Sequence, residues 1–555
     1  MVCWYDSSDS PCIFCYVLYY RRMNGDRDEY RNGMVEGGNS TAAVPEEAQP
    51  LTGASSGSGG VPFVVARINP EAVRRASGAN RMVIADSAAV KADRTFLYIA
   101  ACVGNLASFI CGTTFGWTSP EIPKLKIPGE SPLDEPLTAS EEGWVGSFLP
   151  LAAAVGPFAG GFMVDRIGRK KTLLVATVPF IAAFFINIAP SSVTYLYLSR
   201  FLCGLGVGSI FTVIPMYVGE IADDETRGPL GSFMQLFIVI GLLFSYALGP
   251  YLSIKLFNII LLAPPIAFMV VFFLFIPESP YYLIKAKNEG GAEDALAKLR
   301  GKSKDAVRKE IETIKALVAD AEANKATFFD IFKSKGLTMA LFLSVSLVAC
   351  QQLSGINIIL FYAQDIFTDA GVSLAPEICT IIIGIVQIAA SGATPIMEKR
   401  FGKRFLLMLS GIGMGLSQGV LAYFFHLKDG GKDVSNIGWI PIACLVVYIV
   451  TYCLGFGPLP WAVMGELFPG NIKSAASTVT ASGCWVLGFL LTKYFGMVAN
   501  MIGKDGSFGF FAGCCFVAAA FTYKLVPETS GKSFQEIQEI LNGEKPTQKK
   551  GDVKE

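Results

Sequence analysis

Of 555 residues, 52% are hydrophobic and only 17% charged, against about 25% charged in an ordinary soluble domain, so the composition is that of a membrane protein. Lys plus Arg and Asp plus Glu balance at 46 each, which argues against a nucleic-acid surface and gives no ground for a nucleic-acid partner. The single histidine, His426, lies at the end of an apolar run and leaves nothing from which to build a histidine-based active site or metal cluster. Nothing implies a cofactor.

Residues 1–92 read as a disordered tail, with a Gly/Ser run from Gly53 to Gly60. The short apolar stretch 11–20 is no convincing signal peptide, because Arg21 and Arg22 follow it rather than precede it. Glu46 to Leu51 approximates an acidic dileucine sorting signal, but Pro50 stands where Leu is required. Asn39-Ser40-Thr41 is a glycosylation sequon by pattern. Most of the 13 cysteines fall in apolar segments, where they serve as small hydrophobes; only Cys3, Cys12 and Cys15 lie at the N-terminus.

Apolar runs of about 20 residues, enough to span a bilayer, begin near residue 95. The first six lie near 95–118, 143–164, 172–189, 195–217, 229–249 and 257–276. The second six lie near 338–363, 375–397, 404–426, 438–465, 474–497 and 507–526. Between them, 283–335 carries charges and an apolar spacing (Ala295, Leu296, Leu299; Ile311, Ile314, Leu317, Val318) suited to amphipathic surface helices. The fold class expected is an all-α membrane protein: two six-helix halves, 93–282 and 336–526, making twelve transmembrane helices. A cytoplasmic helical linker, 283–335, and a C-terminal tail, 527–555, complete the chain.

The two sets share punctuation. Asp165-Arg166-Ile167-Gly168-Arg169-Lys170 recurs as Lys399-Arg400-Phe401-Gly402-Lys403-Arg404, and Glu220 before Arg227 recurs as Glu466 before Lys473. Pro277-Glu278-Ser279 recurs as Pro527-Glu528-Thr529. Basic residues concentrate in the loops after the second and eighth spans, while 119–142 carries Glu121, Glu130, Asp134, Glu135, Glu141 and Glu142. Short basic loops face the cytoplasm, so both termini are expected there, and the sequon is expected to be unused. A chain repeated once in this way suits a carrier that moves solute between its halves.

These residues resemble the sugar porter family of the major facilitator superfamily over about 95–540. The motifs are Gly161 with Asp165 to Arg169; Arg200 with Gly204, Gly206 and Gly208; Pro277 to Pro280; Gln351 to Asn357; Gly455 to Trp461; and Pro527 to Thr529. Phe115 to Pro123 and Asp433 to Trp439 look like the branch of insect facilitated trehalose transporters and the nearby animal glucose facilitators. The resemblance implies a small-molecule sugar as partner, a lipid bilayer as solvent, and the cell membrane as location; it does not fix the oligomeric state.

A sugar needs groups that both donate and accept hydrogen bonds, and aromatic surface for its ring. By resemblance, Gln235, Gln351, Gln352, Asn357 and Trp461 match sugar-contacting positions, and Gln387 occupies a slot where the family often has Asn. The alternative use of such amides is to join helices, worth about 0.6 kcal/mol each. Phe361 replaces the first of a usual tyrosine pair, leaving Tyr362, and Cys484 stands where glucose carriers commonly show Asn. The charged repeats (Asp165, Arg166, Arg169, Glu220 and Arg227; Arg400, Glu466 and Lys473) are expected to gate by pairing and unpairing at helix ends, the alternative being topology signalling. Lys399 sits in the slot of Asp165, and Glu398, one residue early, is expected to point elsewhere. Gly455, Gly457, Pro458 and Pro460 suggest a hinge beside Trp461.

A proton symporter needs a titratable group inside the membrane near its substrate. Proton-coupled relatives have Asp where this chain has Thr118, no carboxylate is recognised at the middle of another span, and Arg200 lacks an evident acidic partner. The expected activity is therefore facilitated uniport of trehalose or a hexose such as glucose. Two other readings stand beside it: a proton-coupled symporter, and a sugar receptor that binds without transporting. No enzyme chemistry is expected.

Overall fold

The computed structural model describes residues 93–543 apart from Asp224, 324–327, Gly531 and Ser533. The expected N-terminal tail with its cysteines, sequon and sorting-like segment, and residues 544–555, lie outside the described residues. Among the described residues every regular element is a helix. In lipid each backbone N–H and C=O must be satisfied within its own segment, which is what long apolar runs with few charges achieve as helices.

In chain order, the first set comprises α1 (Thr95–Gly116), α2 (Thr118–Leu125), α3 (Ala139–Ala153), α4 (Gly156–Ile167) and α5 (Arg169–Asn187). It continues with α6 (Val193–Ile221), a short α7 (Arg227–Gly231), α8 (Phe233–Leu248) and α9 (Ile254–Phe275). Three polar helices follow: α10 (Pro280–Lys285), α11 (Glu289–Arg300) and α12 (Lys304–Ala323). The second set comprises α13 (Lys335–Leu353), α14 (Ile356–Phe361), α15 (Ala363–Ala370), α16 (Pro376–Phe401) and α17 (Lys403–Asp429). It ends with α18 (Ile440–Leu454), α19 (Leu459–Leu467), α20 (Gly470–Leu525) and α21 (Phe534–Asn542).

Eleven helices among the described residues are long and apolar enough to cross a membrane, one fewer than the sequence suggests. The difference is α20, which contains both of the last two expected spans and leaves helical geometry inside at Gly503 (φ 78°, ψ 167°). Two other spans break where Gly and Pro predict it. The seventh bends at Gly355, which is left-handed at φ 81°, and the tenth is interrupted between Leu454 and Leu459. The first span departs from expectation in the other direction. Trp117 is itself helical (φ −58°, ψ −41°), so the helix runs on through α2, and Glu121, expected in a polar loop, is fully buried.

Within the first set, α8 packs on α1, and α6 on α3 and α5; within the second, α17 packs on α18 and α20, and α13 on α20. Two seams join the sets, α3 against α20 and α8 against α16. Where α1 crosses α8, a Cβ added to Gly112 would meet the Ile238 carbonyl, so the backbones touch, as small residues allow in membranes. Side chains such as Phe185, Phe273 and Val517, each more than 60% exposed, form the outer surface that a bilayer would cover.

The polar helices are amphipathic as their spacing implies. Ala292, Leu296, Val307, Ile311 and Ile314 make a small core of their own, whereas Leu317 stays 52% exposed. Arg300 ties this core to the bundle, donating from Nη1 to the Ile221 carbonyl (2.8 Å) and from Nη2 to Glu310 (2.7 Å).

Candidate functional site

The breaks at Gly355 and at 455–458 lie on facing helices and open a cavity between the two sets. Gln235, Gln351, Gln352, Asn357, Gln387 and Trp461 all line it. With its mouth it encloses about 650 Å³ of atom-free space, open solvent included. Phe115, Phe211 and Trp485 form an aromatic wall, with the Trp485 ring centroid 6.0 Å from Phe115 and 5.5 Å from Phe211.

The amides divide into those committed to the protein and those left open. Gln351 Nε2 donates to the Phe456 and Gly457 carbonyls (2.7 and 2.8 Å), supplying the donors that the unwound stretch lacks. Asn357 Nδ2 donates to Gln352 Oε1 (2.6 Å), and Gln352 Nε2 donates to Cys484 Sγ (3.1 Å). Cys484 thus takes up an amide donor, as a weak acceptor. In contrast, Gln387 Oε1 and Trp485 Nε1 are buried at the cavity with no hydrogen-bond partner. Such orphaned groups are costly unless something fills the site. An acceptor, a donor and an aromatic face together suit a neutral molecule that presents hydroxyls on an aliphatic ring. Trp485, Tyr452 and Phe211 went unrecognised as candidates in the sequence, because isolated aromatics in apolar spans carry no signal.

At the end opposite the basic loops, contacts cross between the sets. Lys126 lies 3.0 Å from Glu142 and 3.5 Å from Asp365. Gln364 N–H donates to Ser119 Oγ (3.2 Å), and Tyr246 donates to the Leu360 carbonyl (2.6 Å). Burial pulls the Lys126 ammonium down, but Asp365 and Glu142 outweigh it and leave the ammonium above its ordinary value. Arg200 is fully buried nearby. It donates to the Thr114 and Val145 carbonyls (3.0 and 3.3 Å) and lies over the Trp117 ring.

The repeated charges assemble at the basic end. Gly168 (φ 93°) and Gly402 (φ 79°) turn the chain in the left-handed region, placing the first N–H groups of α5 and α17 against Glu278 and Glu528. Glu278 accepts from Arg169 and Lys170 N–H (3.1 and 3.0 Å), and Glu528 from Lys403 and Arg404 N–H (3.2 and 3.1 Å). Each carboxylate thereby caps a helix N-terminus from a distant segment. Burial raises the Glu278 carboxyl; at Glu528 burial pushes the same way, but the hydrogen bonds from Ser530, Arg404 and Lys403 prevail and lower it.

Arg169 donates from Nε (3.0 Å) and Nη2 (2.6 Å) to Glu220, whose second oxygen accepts from Ser279. Lys403 pairs with Glu466 and lies 3.3 Å from Glu398. Glu398, expected to point away, therefore joins the cluster, because the turn at Gly402 brings Lys403 of α17 back beside the last turn of α16. Asp165 pairs with Lys285 (2.7 Å). Arg166 and Arg400 stack on Phe162 and Phe401. Lys473 stands within electrostatic reach of Glu466 and of Arg227 from the other set.

Eleven bilayer-length helices among the described residues, with a buried amide-and-aromatic cavity, define a multi-pass membrane bundle. The chain belongs to the sugar (and other) transporter family, whose model matches residues 128–541. Among curated relatives, "Facilitated trehalose transporter Tret1" of Drosophila willistoni is 36% identical over 448 residues, 80% of this chain and 51% of that protein. Its Aedes aegypti namesake is 35% identical over 447 residues, again 80% of this chain and 55% of the relative. The chain spans about half the length of these relatives. In fold, it is similar to a partially occluded inward-open conformation of the xylose transporter XylE from E. coli, with TM-score 0.66 and 22% identity over 79% of this chain and 100% of the other.

Proposed function

We propose that this protein is a facilitative carrier that moves trehalose or a hexose such as glucose down its gradient by alternating access. Twelve transmembrane helices form two six-helix halves, 93–282 and 336–526; the break at Gly503 supports dividing the last long helix into two spans. The basic loops, the helical linker 283–335 and both tails face the cytoplasm, and the carrier resides in the cell membrane. The observation that carries this reading is the single cavity uniting Gln235, Gln351, Gln352, Asn357, Gln387 and Trp461, with an acceptor on Gln387 and a donor on Trp485 left open. The trehalose transport for which the insect relatives are named favours trehalose among sugars.

The charged repeats act at the other end of the cycle. Pairs such as Arg169 with Glu220 and Lys403 with Glu466 hold helix ends together in one state, and their rupture in another shifts the balance without touching sugar. Uniport rather than symport is supported by Thr118, which stands where proton-coupled relatives carry Asp; beside it Arg200 gives Nη1 and Nε to the Thr114 and Val145 carbonyls and meets no carboxylate there, its Nη2 left without a partner. Uptake of labelled trehalose and glucose into vesicles, at two external pH values, tests the proposal. Saturable uptake that stops at equal concentrations is expected. Accumulation above equilibrium that collapses with the proton gradient would overturn uniport, and binding without flux would favour the receptor.

A further inference from the structure

Glu121 is the acidic side chain that the sequence misplaces. It lies on α2, has no exposed surface, and neither carboxyl oxygen accepts a hydrogen bond. Lys124, one turn on, forms an ion pair with it at 3.6 Å while giving two of its N–H groups to the Gly249 and Leu252 carbonyls. The other polar group facing Glu121 is Asn258 of α9, which donates to the Ile254 carbonyl (2.8 Å) and accepts from Trp117 Nε1 (3.0 Å). On α15, packed against α2, the charged group is Asp365, paired with Lys126. Arg200 lies over the Trp117 ring. A carboxylate here forgoes water, and the Lys124 ammonium at 3.6 Å is the one charge beside it to offset that loss.

We propose that Glu121 is a proton-binding site of the gate between α2 and α15: it binds a proton when the gate closes and releases it when the gate opens. The gate closes through Ser119 and Gln364, two residues from Glu121. Parting them admits water to α2, and the hydrated carboxyl ionises. Because the proton enters and leaves by the same face, it shifts the gate equilibrium without being carried across, which leaves uniport intact. Acid on that face favours the closed gate.

Infrared titration of the full chain in lipid tests the site without relying on sugar transport. A protonated-carboxyl band is expected near neutral pH in the parent and absent from Glu121→Gln; identical spectra at every pH would overturn the site. Linkage to the gate is read in the Ser119→Cys, Gln364→Cys double variant. Its oxidised, cross-linked form is expected to keep the band to higher pH than its reduced form, and coincident titrations would overturn the linkage. Resting on the carrier reading, exchange of labelled trehalose is expected to slow several-fold as the pH on the gate's face falls, and Glu121→Gln is expected to be slow and flat with pH. A variant that exchanges with the parent's pH profile overturns the gate role; absence of exchange in the parent overturns the carrier reading and leaves the spectral result standing.

Discussion

The two charge clusters at the basic end are built on one plan and completed differently. In the first, two Arg169 N–H groups converge on one oxygen of Glu220 while Ser279 satisfies the other. In the second, Lys403 reaches one oxygen of Glu466; the other oxygen and the Thr529 hydroxyl are both buried without partners. Ser279 and Thr529 occupy matching positions, so the second cluster lacks the bond that the first makes. Guanidinium presents several donors in a plane, whereas ammonium is a point charge. A closed network and a half-closed one stand in a single molecule; under the proposed gating role, the second side is the one expected to yield first.

The contrast breaks most visibly at Arg169. Removing it strands a Glu220 carboxylate whose side chain is 15% exposed, and Arg169→Ala is expected to destabilise the protein by about 3 kcal/mol. Glu466→Gln, acting on a site already missing one bond, is expected to cost about 1.5 kcal/mol. Thermal unfolding of both variants in detergent checks the order. Equal losses would mean that the missing bond does not matter.

More of these charge clusters than of the cavity was legible in the sequence. Repeated Gly-Arg and Pro-Glu motifs are local, so the recurrence of Glu278 and Glu528 was visible, whereas their capping of α5 and α17 from a distant segment was not. Amides such as Gln351 and Gln387 stood out because polar groups are costly in apolar spans. What stayed hidden depends on neighbours distant in sequence. Glu121 looked like a loop residue because the first apolar run ends near 118, yet Trp117 continues the helix into α2. Glu398 looked misaligned because one-residue offsets were judged on a helical wheel, which ignores the turn at Gly402. Trp485 and Tyr452 gained meaning only when the breaks at Gly355 and Gly455 brought them to one cavity.

Supplying the missing donors sharpens the same contrast. Lys403→Arg gives the second cluster a fork that can span both Glu466 oxygens, and a gain of about 1 kcal/mol is expected. The unfolding midpoint should rise, and transport should slow if opening this cluster limits the cycle. A fall in the midpoint would show that the orphaned oxygen lies beyond reach of any residue at 403.

The smallest effects distinguish the capping carboxylates, and their signs differ. Burial raises Glu278, so the folded state retains a proton that the unfolded chain gives up, and its contribution fades as pH rises from the ordinary glutamate value through the raised one. Glu528 is lowered because its hydrogen bonds outweigh burial, so its contribution is present above the ordinary value and fades as pH falls through the lowered one. Relative to Glu278→Gln, the parent should lose midpoint on going from acid toward neutral; relative to Glu528→Gln, it should lose midpoint on going from neutral toward acid. Each change is expected to be a fraction of the ~1.4 kcal/mol that one pKa unit represents. Midpoints measured across that range check the signs, and parallel curves for the two variants would mean that the caps are equivalent despite their different burial. Opposite slopes would place the acid-sensitive member of the two clusters in the second half, where the network is already one bond short.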